Sequence, residues 1–117
     1  MKHFTIEELT HSATAQSRGL RNQPDAEAVG NLHRLAECVL DPARERFGAP
    51  IYVNSGYRSE AVNKAVGGAR RSYHLKGRAA DLDTRCGRNR ELFAILQTLP
   101  HTELLWEQGG RWIHVAL

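Results

Sequence analysis

The sequence predicts an α+β fold in which a long helix and shorter helices pack on one face of a small, mainly antiparallel sheet. Apolar residues recur at three- and four-residue spacing between positions 29 and 43, which indicates the long helix. Two strand-like runs flank a glycine pair near the end of the chain, which indicates a β-hairpin. A length of 117 residues suits one domain, residues 1–117.

Composition narrows the class of protein. Hydrophobic residues make up 41% and charged residues 25%, which is typical of a soluble globular domain and excludes a disordered tail, a fibre or a disulfide scaffold. The net charge is +3, and the longest cationic run is Arg70-Arg71, so we expect no nucleic-acid partner. Cys38 and Cys86 form no CxxC pair, and we expect buried or half-buried free thiols.

The sequence also carries expectations about location and assembly. No apolar run approaches the ~20 residues that span a bilayer, so we expect no membrane insertion. The first residues lack the apolar core of a signal peptide, so we expect synthesis in the cytoplasm without a secretion signal. We expect the chain to act as a monomer.

Helix signals dominate the first half of the chain. Thr5 is followed three residues later by a glutamate, a capping box that predicts a short helix. Residues 13–23 are polar and are predicted to be irregular. Pro24 is predicted to be the first position of the long helix, Pro42 to kink or divide it, and Gly48 to end it.

The second half alternates short β-branched or aromatic runs with short helical patterns. Glycine pairs at 67–68 and 109–110 interrupt these patterns. The predicted elements are a strand at 51–53, a helix from Ser59 to Val66, a strand at 79–82, a helix at 89–99, and a hairpin of 104–106 with 112–115.

Three residues form a candidate metal site. His74 and Asp81 are seven residues apart, with Gly77 between them to let the chain reverse, and His114 lies on the last predicted strand. Two imidazoles and one carboxylate are a donor set of catalytic zinc sites, which keep a fourth position for water and lower its pKa toward ~7. The same spacing also fits an exposed loop histidine, a capping aspartate and a half-buried strand histidine.

Four motifs in order carry a family resemblance. They are Ser55-Gly56-Tyr57-Arg58-Ser59, then Asn63 with Val66-Gly67-Gly68, then Ser72-x-His74-x-x-Gly77-x-Ala79-Ala80-Asp81-Leu82, and finally Trp112-Ile113-His114-Val115. Together they resemble the zinc D-alanyl-D-alanine carboxypeptidase family, whose fold is shared by vancomycin-resistance dipeptidases, phage L-alanyl-D-glutamate endolysins and the hedgehog signalling domain. The resemblance covers about residues 50 to 116, and the opening segment is similar to that of short members.

The resemblance implies roles for individual residues. It implies that His74, Asp81 and His114 bind zinc. Arg58 matches the arginine that holds the substrate's carboxylate, and a guanidinium fork suits that pairing. Ser72 matches a serine that bonds the substrate backbone. A surface arginine after a turn and a serine bonded to its own backbone are the alternatives.

The general base is predicted to be Glu107. Several branches of the family place this carboxylate three residues before the last histidine, where this chain has Arg111, but the hedgehog-like branch places a glutamate across the turn. A regular two-residue hairpin would instead put Glu103 opposite His114 and leave Glu107 about 13 Å away along the strand. Glu107 would then have to bend out of the strand ladder, so Glu103 is the alternative.

The resemblance implies a zinc peptidase that hydrolyses peptide bonds in bacterial peptidoglycan stem peptides. It would act as a carboxypeptidase that removes a terminal D-alanine or as an endopeptidase, and the sequence does not choose between them. A short chain without a wall-binding module looks like a phage or prophage lysis enzyme, which acts on the cell wall once released. The alternative, which Arg111 at the usual position of the base leaves open, is a non-catalytic zinc-containing binding or structural module of the same fold.

Overall fold

The computed structural model describes residues 1–117 and has the predicted α+β fold. No helix in it is both long enough and apolar enough to cross a membrane. The helical elements are α1 (Ile6–Thr10), α2 (Ala13–Arg18), α3 (Ala26–Leu35), a π-helical turn (Ala36–Leu40), α4 (Asp41–Phe47), α5 (Glu60–Ala65), a 3₁₀ turn (Tyr73–Lys76), α6 (Asn89–Gln97) and a second 3₁₀ turn (Gln108–Gly110). The strands are β1 (Tyr52–Ser55), β2 (Ala79–Asp83), β3 (Glu103–Glu107) and β4 (Trp112–Ala116).

The four strands form one antiparallel sheet in the order β1-β2-β4-β3. β2 and β4 are therefore the central strands. Their register pairs Asp81 directly with His114. Directly opposed residues of an antiparallel pair have their Cβ atoms about 5 Å apart, so the sheet itself brings these two side chains together.

The two faces of the sheet differ in chemistry because side chains alternate along a strand. One face packs on the helices, and its buried residues belong to the hydrophobic core. The core contains Leu32, Leu35, Val39 and Leu40 from the helices, and Ala80, Leu82, Ile113 and Val115 from the central strands. The other face carries Asp81, His114 and the two glutamates of β3, so the polar residues share one surface.

The long helix is interrupted next to Pro42, as the sequence predicts. A π-helical turn lies directly before α4, which has Pro42 in its first turn, and Gly48 ends α4 with φ 75°. Proline supplies no N–H for the preceding turn of the helix, which accounts for the disturbance. The predicted start at Pro24 is wrong, because Asp25 caps the helix by accepting a hydrogen bond from Ala28 N at 2.8 Å.

The prediction of an irregular segment at residues 13–23 is wrong over its first half. Residues Ala13–Arg18 form α2, whose N-terminus is capped by Ser12. Gly19 ends the helix in the left-handed conformation at φ 66°. Both capping signals are present in the sequence, but a helix of 6 residues is too short for a clear apolar period.

The expectation for the cysteines is also wrong in one respect. Cys38 and Cys86 are free, as expected, but both are exposed rather than buried. The core therefore makes no use of either side chain.

The hairpin has a longer connection than a two-residue turn. Residues 108–111 join its strands, and the register pairs Leu105 with His114 and Glu107 with Trp112. The expectation that Glu103 lies opposite His114 is therefore wrong. Glu107 stays in the ladder and needs no bend, and both glutamates lie diagonally from His114 on the same face.

Candidate metal centre

The structure brings together the three residues predicted to bind metal. His74 lies in the first 3₁₀ turn, Asp81 on β2 and His114 on β4, and all three are buried. One nitrogen or oxygen atom from each lies within 4.8 Å of the others. Asp81 Oδ1 is 3.3 Å from His74 Nε2 and 3.0 Å from His114 Nδ1. This group is able to hold a metal ion.

The chain reverses between the first two of these residues. Ser72 caps the 3₁₀ turn by accepting a hydrogen bond from His74 N at 3.1 Å. Gly77 then adopts φ 70°, and β2 begins two residues later. A Cβ atom on Gly77 would lie 2.5 Å from the carbonyl oxygen of Ala28, so the turn also packs tightly against α3.

The Gly77→Ala variant is expected to lose roughly 2–4 kcal/mol of stability, because the left-handed conformation costs about 1–2 kcal/mol and the backbone clash adds to it. Thermal unfolding of the metal-free protein measures this loss. The matched control is Gly87→Ala. Gly87 has a similar left-handed conformation, with φ 76°, but a Cβ atom added to it would have no neighbour within 4 Å. Equal losses in the two variants would contradict a role for the contact with Ala28.

In each imidazole, the nitrogen farther from Asp81 donates a hydrogen bond to another acceptor. The nitrogen that faces Asp81 therefore carries no proton when the ring is neutral. His74 Nδ1 lies 2.7 Å from the carbonyl oxygen of Gly56, which only accepts, so Nδ1 donates and Nε2 keeps a lone pair. His114 Nε2 lies 2.6 Å from Glu103 Oε1, so Nε2 donates and the neutral ring keeps its lone pair on Nδ1. Two nitrogen lone pairs and one carboxylate oxygen thus converge, and a cation fits between them.

The pKa values of the cluster reflect the same geometry. Burial alone would raise the pKa of Asp81, but the facing nitrogens of His114 and His74 donate hydrogen bonds to its carboxylate when they are protonated, and these bonds with the ring charges lower the pKa to about 2. Burial alone would lower the pKa of His114, but the carboxylates of Asp81 and Glu103 outweigh it and raise the pKa. The cluster therefore attracts positive charge, so protons compete with a metal ion for the same atoms.

Arg58 contacts the carboxylate oxygen of Asp81 that does not face the histidines. Its Nη2 lies 3.3 Å from Asp81 Oδ2, its Nε donates to Ser55 Oγ at 3.0 Å and its Nη1 donates to Asn63 Oδ1 at 3.2 Å. The guanidinium thus holds one carboxylate oxygen of Asp81 and leaves Oδ1 toward the histidines. Three of the five N–H groups of an arginine are engaged, which leaves two for a ligand. The predicted contact of Arg58 with a substrate carboxylate stays a prediction.

The three clustered residues line an open cavity of about 540 Å³. Arg58 and Ser72 line it too, and β3 and β4 form one wall with Glu103, Leu105, Glu107 and Trp112. The carboxylate of Glu107 makes no hydrogen bond or ion pair, whereas that of Glu103 is bonded to His114. The hydroxyl oxygen of Ser72 accepts a hydrogen bond from the nearby backbone, which is the alternative to substrate binding that the sequence left open. Its hydroxyl proton remains available to a ligand.

Sequence reasoning assigned no role to three groups that support this site. The carbonyl of Gly56 orients His74, and Ser55 and Asn63 hold the guanidinium of Arg58. All three residues lie in the motifs that carry the family resemblance, so the motifs were the available signal. Their contacts join segments distant in sequence, which spacing alone does not reveal.

Comparison with known proteins identifies the family of the chain. The family model described as Peptidase M15 matches residues 2–116. No curated protein matches the sequence significantly. The match covers nearly the whole chain, including every residue of the candidate centre, and the chain therefore belongs to the Peptidase M15 family.

Proposed function

We propose that the protein is a zinc-dependent peptidase that hydrolyses peptide bonds in the stem peptides of bacterial peptidoglycan. One observation carries the proposal. Two imidazole nitrogens and a carboxylate oxygen converge at an open cavity whose wall presents a carboxylate without a partner, that of Glu107. A peptidase needs both a site that activates a carbonyl and a base that moves protons.

The donor set fits zinc. Zinc in catalytic sites takes three protein ligands from nitrogen and oxygen donors and keeps one position open. His74, Asp81 and His114 supply two nitrogens and one oxygen, and the cavity leaves the remaining side accessible. When bound, zinc supplies a Lewis acid that polarises the scissile carbonyl and acidifies water.

Glu107 is the proposed general base. Its carboxylate lines the cavity on the same face of the sheet as His114. Glu107 lies two residues after Leu105, which is the residue opposite that histidine on β3. It would take a proton from the attacking water and hand it to the leaving amine. The carboxylate of Glu103 is already hydrogen-bonded to His114, whereas the carboxylate of Glu107 has no hydrogen-bond partner. The hydrogen bonding therefore favours Glu107 as the base.

Arg58 and Ser72 are proposed to bind the substrate. The guanidinium of Arg58 has N–H groups left for a carboxylate, and its side chain is 15% exposed where it meets the cavity. The hydroxyl of Ser72, which lines the cavity and keeps its proton free, would donate to a backbone carbonyl of the peptide. A free C-terminus and an interior stem carboxylate both satisfy Arg58, so carboxypeptidase and endopeptidase activity are both consistent with the site.

Incubation of the zinc-loaded protein with purified peptidoglycan, and separately with a pentapeptide stem that ends in D-Ala-D-Ala, tests the proposal. Mass spectrometry is expected to show peptide-bond hydrolysis that a chelator abolishes and zinc restores. Loss of one terminal alanine identifies a carboxypeptidase, whereas new internal amino termini identify an endopeptidase. Zinc binding without hydrolysis of either substrate would contradict the proposal and favour the non-catalytic module.

A further inference from the structure

We propose that Glu103 is a positioning residue, which fixes the ring of His114 so that its Nδ1 lone pair points at the metal position. This inference rests on the proposed function, because it assumes that the site holds zinc. It assigns different roles to the two glutamates of β3. Glu103 would orient a ligand, and Glu107 would act on the substrate.

The hydrogen bond between Glu103 and His114 carries the inference. Glu103 is paired with Ala116 in the ladder, and its side chain crosses diagonally to place Oε1 2.6 Å from His114 Nε2. The bond lies at the edge of the cavity, since the side chain of Glu103 is 39% exposed and that of His114 only 11%. A carboxylate that accepts the second N–H of a metal-bound histidine determines its tautomer and ring orientation.

The other imidazole provides an independent parallel. His74 donates its Nδ1–H to the carbonyl of Gly56 and turns Nε2 toward Asp81. His114 needs an acceptor on its opposite nitrogen, and the residue directly across from it on β3 is Leu105, whose side chain accepts no hydrogen bond. Glu103 therefore accepts the N–H of His114 that points away from Asp81, just as the backbone carbonyl of Gly56 accepts that of His74.

The same bond distinguishes the two carboxylates chemically. A proton taken from water would neutralise the carboxylate of Glu103, which would weaken its charge-assisted hydrogen bond to His114 and so loosen the orientation of the ring. Glu107 faces no such conflict, because its carboxylate has no protein partner. We therefore expect separate effects for the two glutamates, one on zinc binding and one on turnover.

Zinc dissociation constants from chelator competition test this inference in the wild type, Glu103→Ala, Glu103→Gln and Glu107→Gln. Glu103→Ala is expected to weaken zinc binding about 10–100-fold. Glu103→Gln is expected to restore affinity to within a few-fold of wild type, because the amide oxygen accepts the same N–H. Glu107→Gln, the matched change on the same strand and face, is expected to leave zinc affinity unchanged.

Thermal unfolding of the metal-free variants separates positioning from folding. A merely structural role would lower the melting temperature of Glu103→Ala without weakening zinc binding in the folded protein. Unchanged zinc affinity in Glu103→Ala, or equal weakening in the alanine and glutamine variants, would overturn the inference. So would a Glu103→Gln variant that binds zinc normally but has lost hydrolysis, since Glu103 would then be the base.

Failure of the proposed function gives a different result. A wild-type protein that binds zinc but cleaves no wall peptide would contradict the peptidase proposal, and the comparison of Glu103 variants would still decide the positioning role. A wild-type protein that binds no zinc would overturn both.

Discussion

Replacing His74, Asp81 or His114 singly with alanine is expected to abolish tight zinc binding and hydrolysis together. Each change leaves two protein ligands where a catalytic zinc site uses three. Since the loss of a group that merely orients a ligand costs about 10–100-fold in metal affinity, loss of a ligand itself is expected to cost at least ~100-fold. Elemental analysis is expected to fall from about one zinc per chain to background.

Thermal unfolding with and without zinc gives a second measure of the same loss. A ligand at 1,000 times its dissociation constant stabilises the native state by about 4 kcal/mol, and this gain is expected to disappear in all three variants. In the metal-free protein, His74→Ala is also expected to cost about 1–3 kcal/mol, because it leaves the buried bond to Gly56 unmade. Asp81→Asn keeps the shape of the side chain and so separates binding from folding.

The control for these variants is His33→Ala. This histidine is exposed on α3 and lies outside the cavity, so its removal is expected to change neither zinc content nor activity. Full zinc content in all three ligand variants would exclude the site.

The second large effect is expected for Glu107→Gln, which should lower turnover about 10²–10⁴-fold, the usual contribution of a general base. The amide keeps the size of the side chain but cannot take up the proton. Zinc affinity should stay at the wild-type value, because Glu107 contacts none of the three ligands. Steady-state hydrolysis of the stem peptide by the zinc-saturated variant measures the effect in kcat.

Glu60→Gln is the matched control, since it removes an exposed carboxylate from a neighbouring groove rather than from the metal cavity. It is expected to have wild-type turnover. An active Glu107→Gln beside an inactive, zinc-loaded Glu103→Gln would reverse the roles of the two glutamates.

Local signals predicted most of the fold. The apolar period of the long helix, the disturbance at Pro42 and the two strands around the glycine pair all appear in the structure. These signals depend on residues close together in the chain, whose periodicity matches one kind of element. α2 was missed because its two turns are too short for such a period, although Ser12 and Gly19 mark its ends.

The hairpin shows where local reasoning fails. The strands were predicted correctly, but the register depends on how residues 108–111 fold, and a two-residue turn shifts every pairing by two positions. The observed register puts Leu105 opposite His114, so the two glutamates lie at diagonal positions on either side of that histidine. Only the tertiary structure shows that Glu103 is bonded to His114 while the carboxylate of Glu107 has no partner.

By itself, the sequence determined which residues could form the centre. The motifs around Arg58, His74, Asp81 and His114 specify their side-chain chemistry, and the turn at Gly77 follows from local conformational preference. The tertiary structure alone decided which of these groups contact one another. Which carboxylate orients a histidine, and how Arg58 shares Asp81, depends on contacts between distant segments, whose distances are set by strand register and packing rather than by neighbours in the chain.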